Sequence, residues 1–408
     1  MLKSLLKGFL TQFKRLIARF WIVPLDNLLW EMVGLEQSSP WCVVRAAIVW
    51  ITELGRLIYT EFRVNISRWD GPDWSIIYVS DASAESEKEL QYLFFSGSPT
   101  ATELGRAFLW QLPTLVQQFV SQGCLVICDQ NRLVKWRFQE TYCIRIFPRL
   151  RALLDVSVPM DKVIKRMTNH RRRNLSKSKK RGFEYGVSHN PADFELFYYK
   201  MHIPYVKERF HDRARILPYE SMRELFEERG ELLYVEYQDK LAAAGLGTLR
   251  RYGRTFSPLQ QGIDQDHTHL VKQDIIVALY WHVISWSHAN HLHLVDFGGT
   301  PARLNDGIFQ FKRRWGMRFE RNITTHTMWT LIGKNLPLSL MRRLNELAFI
   351  AEVGQEYRCV VFDIDGASLP DKELSQREKI VAQAGLDGLL VLRPYGKENS
   401  VENIEIPI

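Results

Sequence analysis

Apolar residues recur at steps of three and four along the first segment of the chain. They are Leu2, Leu5, Leu6, Phe9, Leu10, Phe13, Leu16, Ile17 and Phe20. This spacing predicts a helix with one continuous apolar stripe, which Pro24 ends. Lysines and arginines interrupt the segment, so it lacks the ~20 consecutive apolar residues that span a bilayer. Two interpretations are open: residues 1–24 lie on an anionic membrane surface, or the helix packs against its own domain.

The rest of the chain alternates short β-rich runs with longer stretches of helical periodicity. Strands are predicted at 74–79, 124–128, 142–147, 153–158, 183–187, 232–237, 242–250, 254–262 and 292–297. Helices are predicted at 102–122, 161–181, 193–210, 219–229 and 268–288. Strands that cluster after paired helices are typical of an α+β fold.

The length of 408 residues indicates more than one domain. We expect a basic amphipathic helix and an apolar helical segment at 1–54, and a first α/β lobe at 55–150. A second lobe is expected at 151–330, followed at 331–408 by an extension with a helix and short strands. Five scattered cysteines favour a reducing compartment over a disulfide framework. We therefore expect a cytoplasmic protein, attached to the inner face of the membrane if residues 1–24 bind lipid.

Positive charge is concentrated in two segments. Residues 161–181 carry ten Lys/Arg and one Asp, or +9, and residues 1–21 carry five Lys/Arg and no acid, or +5. Subtracting both from the net charge of +8 leaves −6 for the remainder. Such segments imply an anionic partner. It could be a nucleotide-linked or lipid-linked substrate, a CoA phosphate, tRNA or anionic lipid, although a solvated helix face is the alternative.

No metal is expected. His267 and His269 are close in sequence, as are His288, His291 and His293, but no carboxylate or cysteine completes a ligand set. General nucleic-acid binding is not favoured either, because aromatic residues are not interleaved with the basic ones.

Three motifs follow one another in the second half of the chain. Arg172–Gly182 reads R-R-N-L-S-K-S-K-K-R-G, and Arg209 lies near the end of the helix at 198–210. The third motif is Val295–Thr300 (VDFGGT) with Asp306–Gly316 (DGIFQFKRRWG). In this order, over residues 155–325, they resemble FemAB/FemX-type peptidyltransferases and CelD-like polysaccharide-biosynthesis acyltransferases. Both belong to the GNAT superfamily of acyltransferases.

The resemblance implies a GNAT-like fold, with two tandem lobes whose mixed central sheets are flanked by helices. It also implies N-acyl transfer by direct attack of an amine. Lys312 would lie beside the developing anionic oxygen, unless it bonds the last carbonyls of a helix. Asp296 would accept a proton from the amine or, equally, cap the Gly298-Gly299 turn.

Substrate binding is expected at positions with hydrogen-bonding or cationic side chains and at the turn. These residues are Arg171, Arg172, Arg173, Lys177, Tyr205, Arg209, Gly298 and Gly299. Tyr205 and Arg209 would contact an acceptor phosphate or the leaving group, although a surface helix end also explains them. Guanidinium groups suit bidentate contacts with phosphate.

The donor expected from the resemblance is an acyl-CoA co-substrate. Many acetyl-CoA enzymes of the superfamily hold pyrophosphate on a glycine-rich turn before a helix. Here residues 260–269 contain one glycine, and Asp264 and Asp266 would repel phosphate. Another acyl-CoA or an aminoacyl-tRNA therefore stays open. The acceptor is expected to be an amine on an envelope, polysaccharide or lipid precursor. The rival function is a non-catalytic protein that binds anionic membranes or RNA on an inactive acyltransferase scaffold.

Overall fold

The computed structural model describes most of the chain after residue 62. The described residues are 51, 63–71, 73–80, 84–95, 99–131, 142–211, 214, 216–250, 254–321, 327–353, 356–363, 368–395 and 400–407. The helix predicted at 1–24 lies outside them. The chain divides into two compact units. Unit 1 comprises residues 1–150, 300–310 and 321–408, and unit 2 comprises residues 151–299 and 311–320.

Seventeen strands and eleven α-helices are found among the described residues. The strands are β1 Arg63–Asp70, β2 Ser75–Ser80, β3 Thr100–Phe108, β4 Leu125–Asn131, β5 Tyr142–Ile146, β6 Arg149–Asp155, β7 Phe183–Ser188, β8 Gly230–Tyr237, β9 Lys240–Leu249, β10 Thr255–Ile263, β11 Leu294–Pro301, β12 Arg318–Arg321, β13 Thr327–Gly333, β14 Ile350–Val353, β15 Glu356–Phe362, β16 Gly388–Tyr395 and β17 Ser400–Pro407. The helices are α1 Ala84–Phe94, α2 Leu112–Ser121, α3 Met160–Arg166, α4 Asn169–Lys179, α5 Pro191–Leu196, α6 Ile203–Phe210, α7 Tyr219–Arg229, α8 Ile275–Ala289, α9 Gly307–Arg313, α10 Leu338–Leu347 and α11 Asp371–Ala384.

Unit 1 is built on a ten-stranded mixed sheet. Its strand order is β17-β16-β15-β14-β5-β13-β4-β2-β1-β3. The expected separate extension at 331–408 therefore supplies strands to the same sheet as residues 63–146. The reason is that β14 pairs antiparallel with β5, so the end of the chain continues the first sheet. Central strand β2 is apolar along its length and buried, as expected for a strand with neighbours on both sides.

The helix predicted at 102–122 is a strand in its first part. Residues 100–108 form β3, which pairs antiparallel with β1, and the helix begins only at Leu112. Gly105, at φ +105°, lies inside β3 in a conformation that suits glycine, and Leu104 is exposed instead of facing a helix core. Pro113 in the first turn of α2 fits the later start, because a first-turn proline leaves no helical hydrogen bond unmade.

Unit 2 contains the second mixed sheet. Its seven strands follow the order β12-β6-β11-β10-β9-β8-β7. The expectation of two mixed sheets flanked by helices is confirmed. Strands β7 to β10 form an antiparallel meander, and β11 then pairs parallel with β10 after the crossover through α8. The core under this meander includes Val235, Ala243, Ile275 and Leu279.

The basic segment forms two helices instead of one. Helix α3 ends at Arg166, and the side chain of Thr168 accepts a hydrogen bond from the amide of Arg171 as the N-cap of α4. The Thr168 amide in turn donates to the carbonyl of Arg314 at 3.0 Å. Gly316 has φ +76°, and a Cβ there would lie 2.7 Å from the Arg166 carbonyl oxygen. The start of α4 is thus fixed against the F-K-R-R-W-G motif.

The helix predicted at 193–210 is interrupted ahead of Pro204. A π-helical turn, Phe197–His202, separates α5 from α6. Pro204 lies in the first turn of α6, where its missing N–H leaves no helical bond unmade. A π-turn inside a helix often marks a functional site. Here it places His202 so that its Nδ1 donates to the carbonyl of Gln261 in β10 at 3.0 Å.

Candidate active site

The parallel strands of unit 2 are paired only at their beginnings. Among the described residues, Thr255 pairs with Leu294 and Phe256 with Val295, and the register of β10 with β11 ends there. The following residues, 257–263 and 296–299, run on without ladder bonds between the two strands. Backbone N–H and C=O groups along such edges require other partners. An extended ligand inserted between the strands could supply them.

The other parallel pairs of the described chain do not separate in this way. β2 and β4 pair over five positions, from Ile76–Leu125 to Ser80–Asp129. β15 and β16 also pair over five positions, from Arg358–Gly388 to Phe362–Leu392. Strand β10 is also irregular on its other side, where its register with β9 shifts between Pro258 and Gln260. Bulges of this kind are common next to active sites because they redirect backbone groups.

Lys312 lies at the part of β11 that does not pair with β10. Its side chain is 5% exposed, and its Nζ donates to the carbonyl of Phe297 at 2.7 Å. It also donates to the carbonyls of Gly299 at 3.0 Å and Gly298 at 3.3 Å. The ammonium therefore binds carbonyls of a strand end, instead of the helix carbonyls of the alternative interpretation. This places a buried positive charge at the Gly298-Gly299 turn, where Gly298 has φ +72°.

Asp296 follows the last paired residue of β11 and is 1% exposed. Its Oδ1 accepts from the Gly298 amide at 3.0 Å, so it caps the turn. Its Oδ2 accepts from Arg151 Nε at 2.8 Å and from Arg250. The pKa of Arg250 is lowered to about 10 by burial, against the opposing effect of Asp296. This geometry favours the turn-cap interpretation, because guanidinium and amide groups occupy both carboxylate oxygens.

The basic-helix motif and the F-K-R-R-W-G motif meet at one side chain. The guanidinium carbon of Arg171 lies 4.6 Å from the ring centroid of Phe311 and 4.7 Å from that of Trp315. Arg171 is 3% exposed. Cation–π contacts of this kind stabilise a desolvated guanidinium. Two motifs about 140 residues apart along the chain thus form a single contact beside Lys312.

Tyr280 links these groups to the end of helix α6. Its ring stacks on Phe297 at 4.9 Å with an interplanar angle of 8°, and it also contacts Phe311 and Trp315. Burial raises the pKa of Tyr280 to about 12, with a further increase from Tyr205 and opposing effects of Arg209 and Arg171. Arg209 donates to the hydroxyl of Tyr205. Tyr205 and the exposed Arg209 therefore lie near enough to Tyr280 to influence its pKa.

The other basic residues predicted to bind substrate face outward. Arg172, Arg173 and Lys177 are exposed on α4, and Arg172 donates to the side chain of Asn169. The structure thus brings together Arg171, Lys312 and the glycine turn, with Tyr205 and the exposed Arg209 near Tyr280. It leaves the three exposed residues on the outer face of α4, as a cationic surface.

Several residues of the site were not found by sequence reasoning. Arg151 lies just before one predicted strand, and Arg250 lies at the end of another. That they are buried and pair with Asp296 becomes evident only from the fold. Tyr280 follows Leu279 on helix α8, which is apolar around most of its circumference. The periodicity of this helix therefore did not distinguish a site residue from a core residue. The aromatic residues Phe311 and Trp315 belong to the quoted motif, but their contact with Arg171 is a tertiary one.

The segment that would hold a donor pyrophosphate lacks a glycine turn. Residues 265–273 form 3₁₀ turns, and Asp274, at φ +69°, precedes α8 without capping it through its side chain. Asp264 contacts the Nδ1 of His267 at 2.9 Å, so this carboxylate has a local partner. Phosphates would have to be held here by ordinary backbone amides and neighbouring cations. No group of three or more potential metal ligands occurs among the described residues.

Comparison with known protein families identifies the domain that carries this site. Residues 165–313 match the family model described as an acetyltransferase (GNAT) domain. These residues form a GNAT acetyltransferase domain. The matched range contains Arg171, Tyr205, Arg209, Tyr280, Asp296 and Lys312, so the cluster lies within the GNAT domain. The expectation of a GNAT-type enzyme is confirmed.

Solved structures similar to this chain share little sequence with it. FemX is 11% identical, with 69% of this chain and 86% of FemX covered and a TM-score of 0.35. L-PGS from Bacillus licheniformis is 13% identical, with 70% and 89% covered and a TM-score of 0.32. The C-terminal domain of a putative lysylphosphatidylglycerol synthetase from Agrobacterium fabrum is 11% identical, with 69% and 87% covered and a TM-score of 0.33. No curated protein matches the chain significantly.

The raised pKa of Tyr280 predicts a loss of stability in alkali. In the folded protein the hydroxyl of Tyr280 keeps its proton up to about pH 12, whereas an unfolded tyrosine releases it at about pH 10. The free energy of unfolding should therefore fall as the pH rises from about 10 to about 12. Tyr280→Phe should reduce this fall, whereas the same change at exposed Tyr92 should not. Urea unfolding at about pH 9 and about pH 11 measures the difference, and equal losses in both variants would contradict the prediction.

Proposed function

We propose that this enzyme transfers an acyl group from an activated donor, such as an acyl-CoA, to an amine on an anionic envelope, polysaccharide or lipid precursor. The observation that carries the proposal is the separation of β10 from β11 beside the buried ammonium of Lys312. An extended acyl donor can hydrogen-bond to backbone groups of β10 and β11 that make no ladder bonds with each other. Its carbonyl then lies near a fixed positive charge.

The proposed chemistry is direct attack of the amine on the acyl carbonyl. The new C–N bond forms as the carbonyl oxygen becomes an oxyanion, and the bond to the leaving group then breaks as the carbonyl re-forms. The amine loses a proton, and the leaving thiolate of a CoA donor gains one. A fixed cation in a water-poor site stabilises the oxyanion without reorganisation. Tyr280 stays protonated at neutral pH because burial raises its pKa to about 12, so its hydroxyl can donate a hydrogen bond at this site.

Asp296 has a positioning role in this proposal. It fixes the Gly298-Gly299 turn whose carbonyls hold Lys312. The exposed basic residues Arg172, Arg173 and Lys177 would attract the anionic acceptor to the surface of α4. Tyr205 and Arg209 would contact the acceptor or the leaving group from the end of α6. An aminoacyl-tRNA is the alternative donor, and its phosphates would meet the same cationic surface.

The proposed reaction is tested by following thiol release from a panel of acyl-CoAs in the presence of amino sugars and aminoacyl lipids. We expect turnover with at least one acyl-CoA that requires an amine acceptor. A parallel arm uses aminoacyl-tRNA and measures loss of the esterified amino acid. Turnover only in the second arm would identify aminoacyl-tRNA, and not acyl-CoA, as the donor. Anion binding without turnover in either arm would contradict catalysis and favour a non-catalytic scaffold.

We further propose that the enzyme acts on the cytoplasmic side of the membrane, with residues 1–24 on its surface. The support is the sequence: an apolar stripe with five basic and no acidic residues in the first 21 positions. No helix in the described part of the chain is long and apolar enough to span a bilayer. Deletion of residues 1–24 should abolish sedimentation with vesicles containing phosphatidylglycerol. Unchanged sedimentation of the truncated protein would contradict the proposal, and neutral vesicles are the control.

A further inference from the structure

Arg171 is a buried cation with no polar side-chain partner in the described part of the chain. No hydrogen bond or ion pair joins its side chain to any described residue, and its Nε is completely buried and unpaired. The rings of Phe311 and Trp315 interact with its guanidinium carbon at 4.6 and 4.7 Å, and rings placed over a guanidinium leave its in-plane N–H groups unbonded. Buried charges are normally paired, because removing them from water is costly.

Other buried arginines of the described chain show the ordinary arrangement. Arg151 and Arg250 share the carboxylate of Asp296. Arg358 pairs with Glu356, and Arg377 pairs with Glu373. Arg171 differs from these four, although it is buried to the same extent. The sequence around it therefore retains a charge for which the fold provides only aromatic contacts.

The surroundings of Arg171 are richer in positive than in negative charge. Burial and, to a smaller extent, the charge of Arg314 lower the pKa of Arg171 to about 10. The acidic residue that acts on it is Asp274, which forms no ion pair with it. Arg209 acts on the same Tyr280 as Arg171 does, and Lys312 follows Phe311 directly in the chain. An anion placed here would meet several cations and little repulsion.

We infer that the in-plane N–H edge of Arg171 binds one oxyanion group of a substrate, either a carboxylate or a phosphate. Both groups have the planar or tripodal oxygen geometry that a guanidinium fork recognises with two parallel hydrogen bonds. The aromatic contacts fix the plane of the fork before the ligand arrives, which lowers the entropy cost of binding. The inference rests on the proposed function only where it calls the anion a substrate. Binding of the anion itself does not require turnover.

The inference is tested by thermal unfolding of the full chain in sodium phosphate or sodium acetate, against sodium chloride at the same ionic strength. A ligand that binds the folded state raises the melting temperature in proportion to the logarithm of its concentration. We expect phosphate, acetate or both to stabilise the wild type above chloride. A response to phosphate alone identifies a phosphoryl group, and a response to acetate alone identifies a carboxylate. The transfer assay is independent, so its failure and the failure of anion binding are distinguishable.

Variants show whether Arg171 is the receptor. Arg171→Met should abolish the anion response, and Arg171→Lys should weaken binding by at least about tenfold, because an ammonium cannot make the two-pronged contact. Arg223→Gln is the control, since Arg223 is an exposed arginine on α7 outside the basic segment, and it should retain the response. Absence of a specific anion response in the wild type would overturn the inference. An undiminished response in Arg171→Lys would also overturn it. Because this variant keeps the positive charge, it serves as the test if Arg171→Met does not fold.

Discussion

Replacing Lys312 with methionine is expected to lower kcat for acyl transfer by about 10²- to 10³-fold, the effect of removing one stabilising group from an oxyanion site. Methionine keeps the length and apolar stem of the side chain but removes the positive charge. The ammonium is 5% exposed and lies on the carbonyls of Phe297, Gly298 and Gly299. Its field therefore acts with little screening by water on charge that develops at the turn.

The measurement is steady-state kinetics with the donor identified by the transfer assay. A loss confined to kcat indicates stabilisation of the transition state, whereas a rise in KM alone would indicate ground-state binding. Lys162→Met is the control, because Lys162 is an exposed lysine on α3. Wild-type kcat in a folded Lys312→Met protein would contradict the role of the ammonium. Urea unfolding of the same preparation separates lost catalysis from lost structure.

Replacing Asp296 with asparagine is expected to lower the free energy of unfolding by about 3–5 kcal/mol, the range for removing one partner of a buried ion pair. The amide retains the shape of the side chain and can still accept from the Gly298 amide. It leaves Arg151 and Arg250 as two buried guanidinium groups without a countercharge. Because their separation is set by the strands β6 and β9, neither can move to water without disturbing the sheet.

Asp161→Asn is the matched control for this change. Asp161 forms an exposed pair with Lys165 one helical turn away, with side-chain exposures of 64% and 75%. Exposed pairs of this kind contribute about 0.3–0.5 kcal/mol. Equal effects of the two substitutions in urea unfolding would show that the buried network is not the main contribution of Asp296. If Asp296→Asn retains its stability but loses transfer, the proton-acceptor interpretation is favoured instead.

Sequence reasoning predicted the elements of unit 2 with the greatest success. The strands of the meander and helix α7 have strong local signals, since short apolar runs and amphipathic helical periodicity depend on nearby residues. The helix predicted at 102–122 was wrong over residues 102–108 because the run TATELGRAF suits either state, and pairing with β1 decides it. The continuity of residues 327–407 with the first sheet was not predictable, since strand order is set by tertiary contacts.

The candidate site shows the same division between local and tertiary information. The motifs quoted from the sequence contain Lys312, Asp296 and Arg171. Their partners could not be read from spacing: the three carbonyls around Lys312, the two arginines on Asp296 and the aromatic rings on Arg171 are long-range contacts. The exposed Arg172 and the buried Arg171 are adjacent, and only the orientation of α4 distinguishes them. Charge density along the chain indicated an anionic ligand but not which cation would bind it.

The central claim is that the acyl donor binds between β10 and β11 of the GNAT domain. Hydrogen–deuterium exchange with a non-hydrolysable thioether analogue of the preferred acyl-CoA tests it directly. The account predicts that the analogue slows amide exchange in residues 257–263 and 296–299, and leaves the closed parallel pair of β2 and β4 unchanged. Protection confined to β2 and β4, or no protection at the analogue concentration that saturates the enzyme, would contradict it.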